Sequence, residues 1–193
     1  MEFGKSYESH ETIVSRNLHI RAQLGAGMLP VLPFEKPLIE RQLEAVKQEQ
    51  DDMGRELSVV NHQSSETWHD NHAANEVERY SKVVHTKGTR LVETLSRLVE
   101  FDYPPEGDEV TLGSVLELRF GSSDEAETAI VTGTAREMED LEGIRVPDIF
   151  MPITLQSPIG MALLGARAGD DIIYEVGGRP RQAHVLSVRR LEP

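Results

Sequence analysis

The sequence predicts an α+β protein in which a long antiparallel helical hairpin precedes a small antiparallel sheet domain carrying one short helix. Three observations predict it. No proline occurs between Pro37 and Pro104, and the composition there is rich in Glu, Gln, Lys, Leu and Val. Two heptad-spaced apolar series within that stretch share one centre. Beyond Pro104-Pro105 the pattern changes to short β-type runs separated by glycines.

Residues 1–34 show no sustained period, contain Gly25, Gly27, Pro30 and Pro33, and end in the punctuated run Met28-Leu-Pro-Val-Leu-Pro33. They are expected to form an arm of low order. The alternative for Ile13, Val14, Leu18, Ile20 and Leu24 is a short helix packed on the next region.

Residues 35–102 read as the hairpin. Pro37 suits a first helical turn, where its missing N–H has no partner to lose. Ile39, Leu43, Val46, Met53, Leu57 and Val60 follow a 4-3 alternation with Gln50 in the missing place. Val77, Tyr80, Val84, Leu91 and Leu98 repeat it, with Lys87 and Thr94 (or its neighbour Leu95) filling the gaps. In an antiparallel pair, facing positions must have a constant sum. Ile39 with Leu98, Leu43 with Thr94 (or its neighbour Leu95), Val46 with Leu91, Met53 with Val84, Leu57 with Tyr80 and Val60 with Val77 obey this rule, as does the polar pair Gln50 with Lys87. The fold-back lies near Trp68 and His69, with a tip at about 64–73. At ~1.5 Å per residue each arm is roughly 45 Å long.

Residues 103–112 are expected to be a linker, and 113–193 the sheet domain. Strands are predicted at Ser114–Phe120, Thr128–Thr132, Phe150–Leu155, Asp171–Val176 and Ala183–Val188. Ser157-Pro-Ile-Gly-Met-Ala-Leu-Leu-Gly165 reads instead as a short helix: Ser157 can cap it, Pro158 fits its first position and Gly165 its exit.

Composition excludes several function classes. The 193 residues hold 33 Asp+Glu against 20 Lys+Arg, a formal charge of −13, and the excess lies after residue 34. Without a basic cluster to neutralise phosphates, sequence-specific nucleic-acid binding is not expected. The absence of cysteine removes disulfides, thiolate metal sites and cysteine nucleophiles, and fits a reducing, cytoplasmic location. No apolar run follows a positive start, and none approaches the roughly 20 residues of a membrane span, so neither secretion nor a membrane is expected.

The run Ser157 to Gly165, followed by Gly169-Asp170, resembles the Gre family of bacterial transcription elongation factors, as a divergent member. The likeness extends to Gly113-Ser114-Val115 and to Ile130-Val131-x-Gly133, and covers about 37 to 191. It implies an N-terminal coiled-coil hairpin and a C-terminal FKBP-like domain. It also implies RNA polymerase as the partner: the C-terminal domain grips the rim of the secondary channel and the hairpin runs down it. Acids at the tip then help to hold a Mg²⁺ bound by the polymerase, so the protein needs no cofactor of its own and is not itself an enzyme. Ser157, Pro158, Ile159 and Gly160, with Trp68 at the tip, are the expected partner contacts.

The family tip reads approximately Gly-Asp-x-x-Glu-Asn-Ala-Glu. Aligned from Arg90-Leu91, Asp70 falls on its Asp and Glu76 on its last Glu, while Ala73 occupies the place of the catalytic Glu. Anchoring on His72-Ala73-Ala74 instead puts Ser64 and Thr67 at the catalytic pair. Neither alignment keeps two acids, and one carboxylate captures a hard cation less well than two. Asp70, Glu66 and Glu76 are the candidate tip acids, and Glu66 with Asp70 is a possible rearranged pair for a shared Mg²⁺ site. Asp70 also reads as an N-cap. His69 and His72 lack the further ligands of a zinc site.

The leading expectation is a Gre-like regulator that enters the secondary channel and modulates or inhibits transcription without efficient transcript cleavage. The alternative is a cleavage-stimulating factor that rescues backtracked polymerase through its tip acids. A prolyl isomerase needs an aromatic-walled pocket, and residues 106–193 offer only Phe120, Phe150 and Tyr174. A plain coiled-coil scaffold leaves the run Ser157 to Gly165 unexplained.

Overall fold

The structure is a computed structural model that describes residues 12–63, 72–135 and 151–191. It divides into two units: residues 1–35 with 99–193, and residues 36–98.

The first unit is built on a five-stranded sheet. Its strands β3 (Ser114–Phe120), β4 (Glu127–Thr132), β5 (Met151–Thr154), β6 (Asp171–Val176) and β7 (Arg179–Arg190) lie in the order β5-β4-β3-β7-β6. Three of the four pairings are antiparallel, as expected; the fourth, β4 with β5, is parallel, so the sheet is mixed. The β6–β7 hairpin turns through Gly177 and Gly178 at φ +59° and +75°, the paired positive values that a two-residue hairpin loop requires. Leu116, Leu118, Ile130, Val131, Val185 and Leu163 are at the centre of the apolar core. The short helix α4 (Pro158–Leu163) packs against β6.

Two expectations are corrected in this unit. Residues 12–34 are not an arm of low order; the alternative of a short packed helix holds, since helix α1 (Ile13–Gly25) and strand β1 (Leu29–Val31) are both formed, and β1 pairs with β2 (Leu98–Glu100). A reciprocal cap starts α1, Thr12 Oγ1 accepting from the Ser15 N–H and Ser15 Oγ from the Thr12 N–H. The helix holds because its inner polar side chains satisfy backbone carbonyls of the unit. Asn17 donates to Val110 O at 3.0 Å, Arg21 to Leu164 O at 2.6 Å and Arg16 to Asp102 O, while the Arg16 guanidinium lies 5.2 Å from the Phe101 ring centroid. Nor are residues 103–112 a free linker. Val110 and Leu112 are fully buried, the Val110 N–H donates to Ala166 O, and the Gly165 N–H returns a bond to Val110 O.

The second unit contains most of α2 (Glu35–Gln63) and all of α3 (His72–Ser96). Val46, Met53 and Val84 form its buried seam, with Leu91 packed against them, which matches the expected layers. One layer differs. Gly88, not Lys87, is buried opposite Gln50: a Cβ on Gly88 would stand 3.3 Å from Val46 Cγ1 and 3.6 Å from Gln50 Nε2. Lys87 is exposed, because a charged side chain has no partner within so narrow a seam. The layers involving Leu57 and Val60 lie outside the described side chains. No helix among the described residues is long and apolar enough to cross a membrane.

Candidate functional site

The run Ser157 to Gly165 is explained almost residue by residue by local backbone chemistry. Ser157 caps α4 from an extended conformation: its Oγ accepts from the Gly160 N–H at 3.1 Å and donates to Thr154 O at 2.7 Å. Pro158 takes the first turn, where its absent donor costs nothing. Gly160 lies so close to the end of β5 that a Cβ would stand 2.1 Å from Thr154 O. Gly165, at φ +90°, turns the chain out of the helix. Asp170 closes the next turn, accepting from the Arg167 N–H at 2.8 Å.

This corrects one expected contact. Gly160 is buried and tied to Thr154, so it shapes the surface from beneath and cannot itself touch a partner. Ser157 is half-buried, with its hydroxyl engaged in the cap. Ile159 is half-buried against the core, and Pro158 is exposed. Met161 is exposed as well, at 39%. Sequence reasoning passed over it, although one helical turn from Pro158 is the spacing that shares a face. Pro158, Ile159 and Met161 therefore offer an apolar prominence with no nucleophile or general base among them. Such a surface can dock; it cannot catalyse.

On the rim of this unit, Arg167 holds Glu109 at 2.7 Å and Asp108 at 3.7 Å. The hydrogen bond to Glu109, and then the charge of Asp108, hold its guanidinium above the ordinary arginine range. Arg190 bonds Ser114 Oγ and the carbonyls of Gly107 and Glu109, while burial and the neighbouring Arg16 pull its pKa down. Both arginines fasten the segment 107–109 to the sheet.

In the helical unit, Glu76 is exposed and lies 3.9 Å from Arg79. Tyr80 donates its hydroxyl proton to Glu49 across the two helices at 2.6 Å, and that bond raises its pKa. Glu66, Trp68 and Asp70 lie outside the described residues. Among the described residues no group of three His, Asp or Glu side chains could hold a metal ion.

Comparison with known proteins bears on residues 104–190, which match the family model of the C-terminal region of transcription elongation factor GreA/GreB. Among solved structures, the chain is similar to GreA factor homolog 1 (Gfh1) of Thermus thermophilus, at 22% identity and a TM-score of 0.37, over 84% of this chain and 99% of that one. It is similar to Thermus aquaticus Gfh1 at 21% identity and a TM-score of 0.38, over 84% and 98%. For a GreA/GreB elongation factor from Nitrosomonas europaea the values are 18% and 0.30, over 83% and 98%. No curated protein gives a significant match.

Proposed function

We propose, from the match of residues 104–190 to the C-terminal model of transcription elongation factor GreA/GreB, a cytoplasmic regulator that binds RNA polymerase and modulates or inhibits transcription without efficient transcript cleavage. The family match over 104–190 is the observation that carries this reading. The sheet unit docks on the polymerase through Pro158, Ile159 and Met161. The helical hairpin enters the secondary channel, with Trp68 as the aromatic available to contact the enzyme at the tip. The protein serves as a polymerase cofactor and performs no chemistry alone.

The lack of efficient cleavage follows from the first turn of α3. Ala73 stands where the resemblance places the second carboxylate, which leaves Asp70 as the single acid of the pair. A cation gains affinity from each added anionic ligand, so one acid supports the weaker metal of a two-metal cleavage site poorly. The second reading, a cleavage-stimulating factor, draws on Glu66, close enough in sequence to share a Mg²⁺ with Asp70.

Pull-down of core RNA polymerase tests the docking. The parent protein is expected to retain the polymerase, and Ile159→Asp to lose most of it while circular dichroism stays unchanged. Equal retention by the variant removes this surface from the account; no retention by the parent ends it.

A further inference from the structure

Glu35 is fully buried, and its carboxylate is the acceptor for five separate donors. The Leu32 N–H reaches Oε2 at 2.8 Å within the turn that opens α2. The other four donors come from a single short stretch almost a hundred residues further on. The Gly133 N–H lies 3.0 Å from both oxygens, and Oε1 also accepts from the Thr134 N–H at 2.6 Å, the Thr134 hydroxyl at 3.1 Å and the Ala135 N–H at 3.0 Å. Three consecutive backbone N–H groups converging on one point form a concave anion nest, the arrangement by which loops bind carboxylates and phosphates.

The nest is held from outside Glu35. Thr132 Oγ1 donates to Ala135 O at 2.7 Å and closes the turn from within. The Leu155 N–H donates to Thr132 O at 2.8 Å, and the Gly113 N–H to Val131 O at 2.9 Å, so both neighbours of β4 hold its end. Gly133 lies against β1, where a Cβ would meet Pro30 O at 2.0 Å. A buried anion is tolerated only when its charge is met by fixed donors, and four of the five here belong to a turn that Thr132 and Leu155 also brace.

We propose that residues 133–135 form a carboxylate-binding site that the chain occupies with its own Glu35. Glu35 is thereby a positioning residue: it fixes the first residue of α2 on the exit of β4. With its side chain removed, the nest takes a free carboxylate in its place.

The experiment compares the full-length parent, Glu35→Ala and Glu35→Gln in sodium formate and in sodium chloride at matched ionic strength. Thermal unfolding is the readout, so no polymerase is present and the outcome is independent of the proposed function. Glu35→Ala should melt about 5–10 °C below the parent in chloride. Formate should restore part of that loss along a saturable curve, with the parent and Glu35→Gln unmoved because their sites are filled. A midpoint for Glu35→Ala that rises no more in formate than the parent's overturns the proposal. If Glu35→Ala does not fold, amide exchange in the isosteric Glu35→Gln decides. The N–H groups of Gly133, Thr134 and Ala135 should lose protection at least tenfold, and unchanged exchange at all three overturns it.

Discussion

The two units handle buried polarity in opposite ways. In the sheet unit a carboxylate, an asparagine and two arginines are wholly or partly buried, and fixed backbone groups meet them. Among the described residues of the helical unit no charged side chain is buried, and several pair with neighbours three or four residues away, as Lys47 does with Glu44 and Lys82 with Glu78. The seam between its helices is only about one side chain wide, Val46, Met53 and Val84 being buried with Leu91 beside them. A single seam cannot desolvate a charge and return the hydrogen bonds lost; a layered sheet with loops folded over it can. The sheet unit is therefore the rigid platform, and the hairpin depends on a few apolar layers and on helix propensity.

The largest effect expected from a single added methyl group is at the platform. Gly160→Ala forces a Cβ to within 2.1 Å of Thr154 O, which no rotamer can relieve. It should cost roughly 3 kcal/mol in urea unfolding, at the upper end of overpacking penalties. A loss below about 1 kcal/mol would show the platform to be more compliant than the comparison holds. In the hairpin, Val84→Ala should cost about 2 kcal/mol by thinning the buried seam, read as faster amide exchange in α2 and α3 with the strands unchanged. Loss of protection in β3 and β4 as well would join the two units into one cooperative block.

The two hairpin glycines sharpen the contrast further. A Cβ at Gly54 meets open space, so Gly54→Ala should stabilise the hairpin by up to ~1 kcal/mol through helix propensity. At Gly88 the same gain is opposed by Val46 Cγ1 at 3.3 Å, and the net change should be close to zero. Equal gains at both positions would mean that Gly88 does not set the separation of the helices.

The smallest effect concerns Tyr80, whose hydroxyl bond to Glu49 raises its pKa. A raised folded-state value means that the protonated phenol is the favoured form. Its contribution is complete below the unfolded tyrosine pKa of about 10 and is lost as pH rises through the folded value. In an ultraviolet titration, Tyr80→Phe should remove the component that ionises last. Loss of an earlier component would show that the Tyr80–Glu49 bond carries no weight in solution.

Much of the fold is legible in the sequence, for definite reasons. β3 and β6 occupy their expected residues because glycines bound each run, and α4 does so because Ser157, Pro158 and Gly165 mark its ends. The hairpin seam follows from the heptads. For residues 12–34 the sequence leaves a low-order arm and a short packed helix both open, because the pattern of α1 is inverted: Arg16 and Asn17 face inward while Val14 and Leu18 are 54% and 65% exposed. Residues 103–112 have no period from which the burial of Val110 and Leu112 could be read. The parallel pairing of β4 with β5 depends on which edge the chain returns to, a choice no local pattern encodes. At the candidate site, the run Ser157 to Gly165 stood out in sequence. The division of labour within it did not, because a capping serine and a contacting serine look alike until their hydrogen bonds are seen. Glu35 looks like any acid in a first helical turn; only the fold brings Gly133 to it.

The central claim, a polymerase regulator that does not cleave efficiently, is tested most directly on stalled, backtracked elongation complexes carrying end-labelled RNA. Transcript length is followed after addition of the parent protein or of Ala73→Glu. The account expects the parent to leave the RNA intact while slowing its extension, and the restored acid in Ala73→Glu to confer measurable shortening. Rapid shortening by the parent, abolished by Glu66→Ala or Asp70→Ala, would contradict it and establish the tip acids as a working pair.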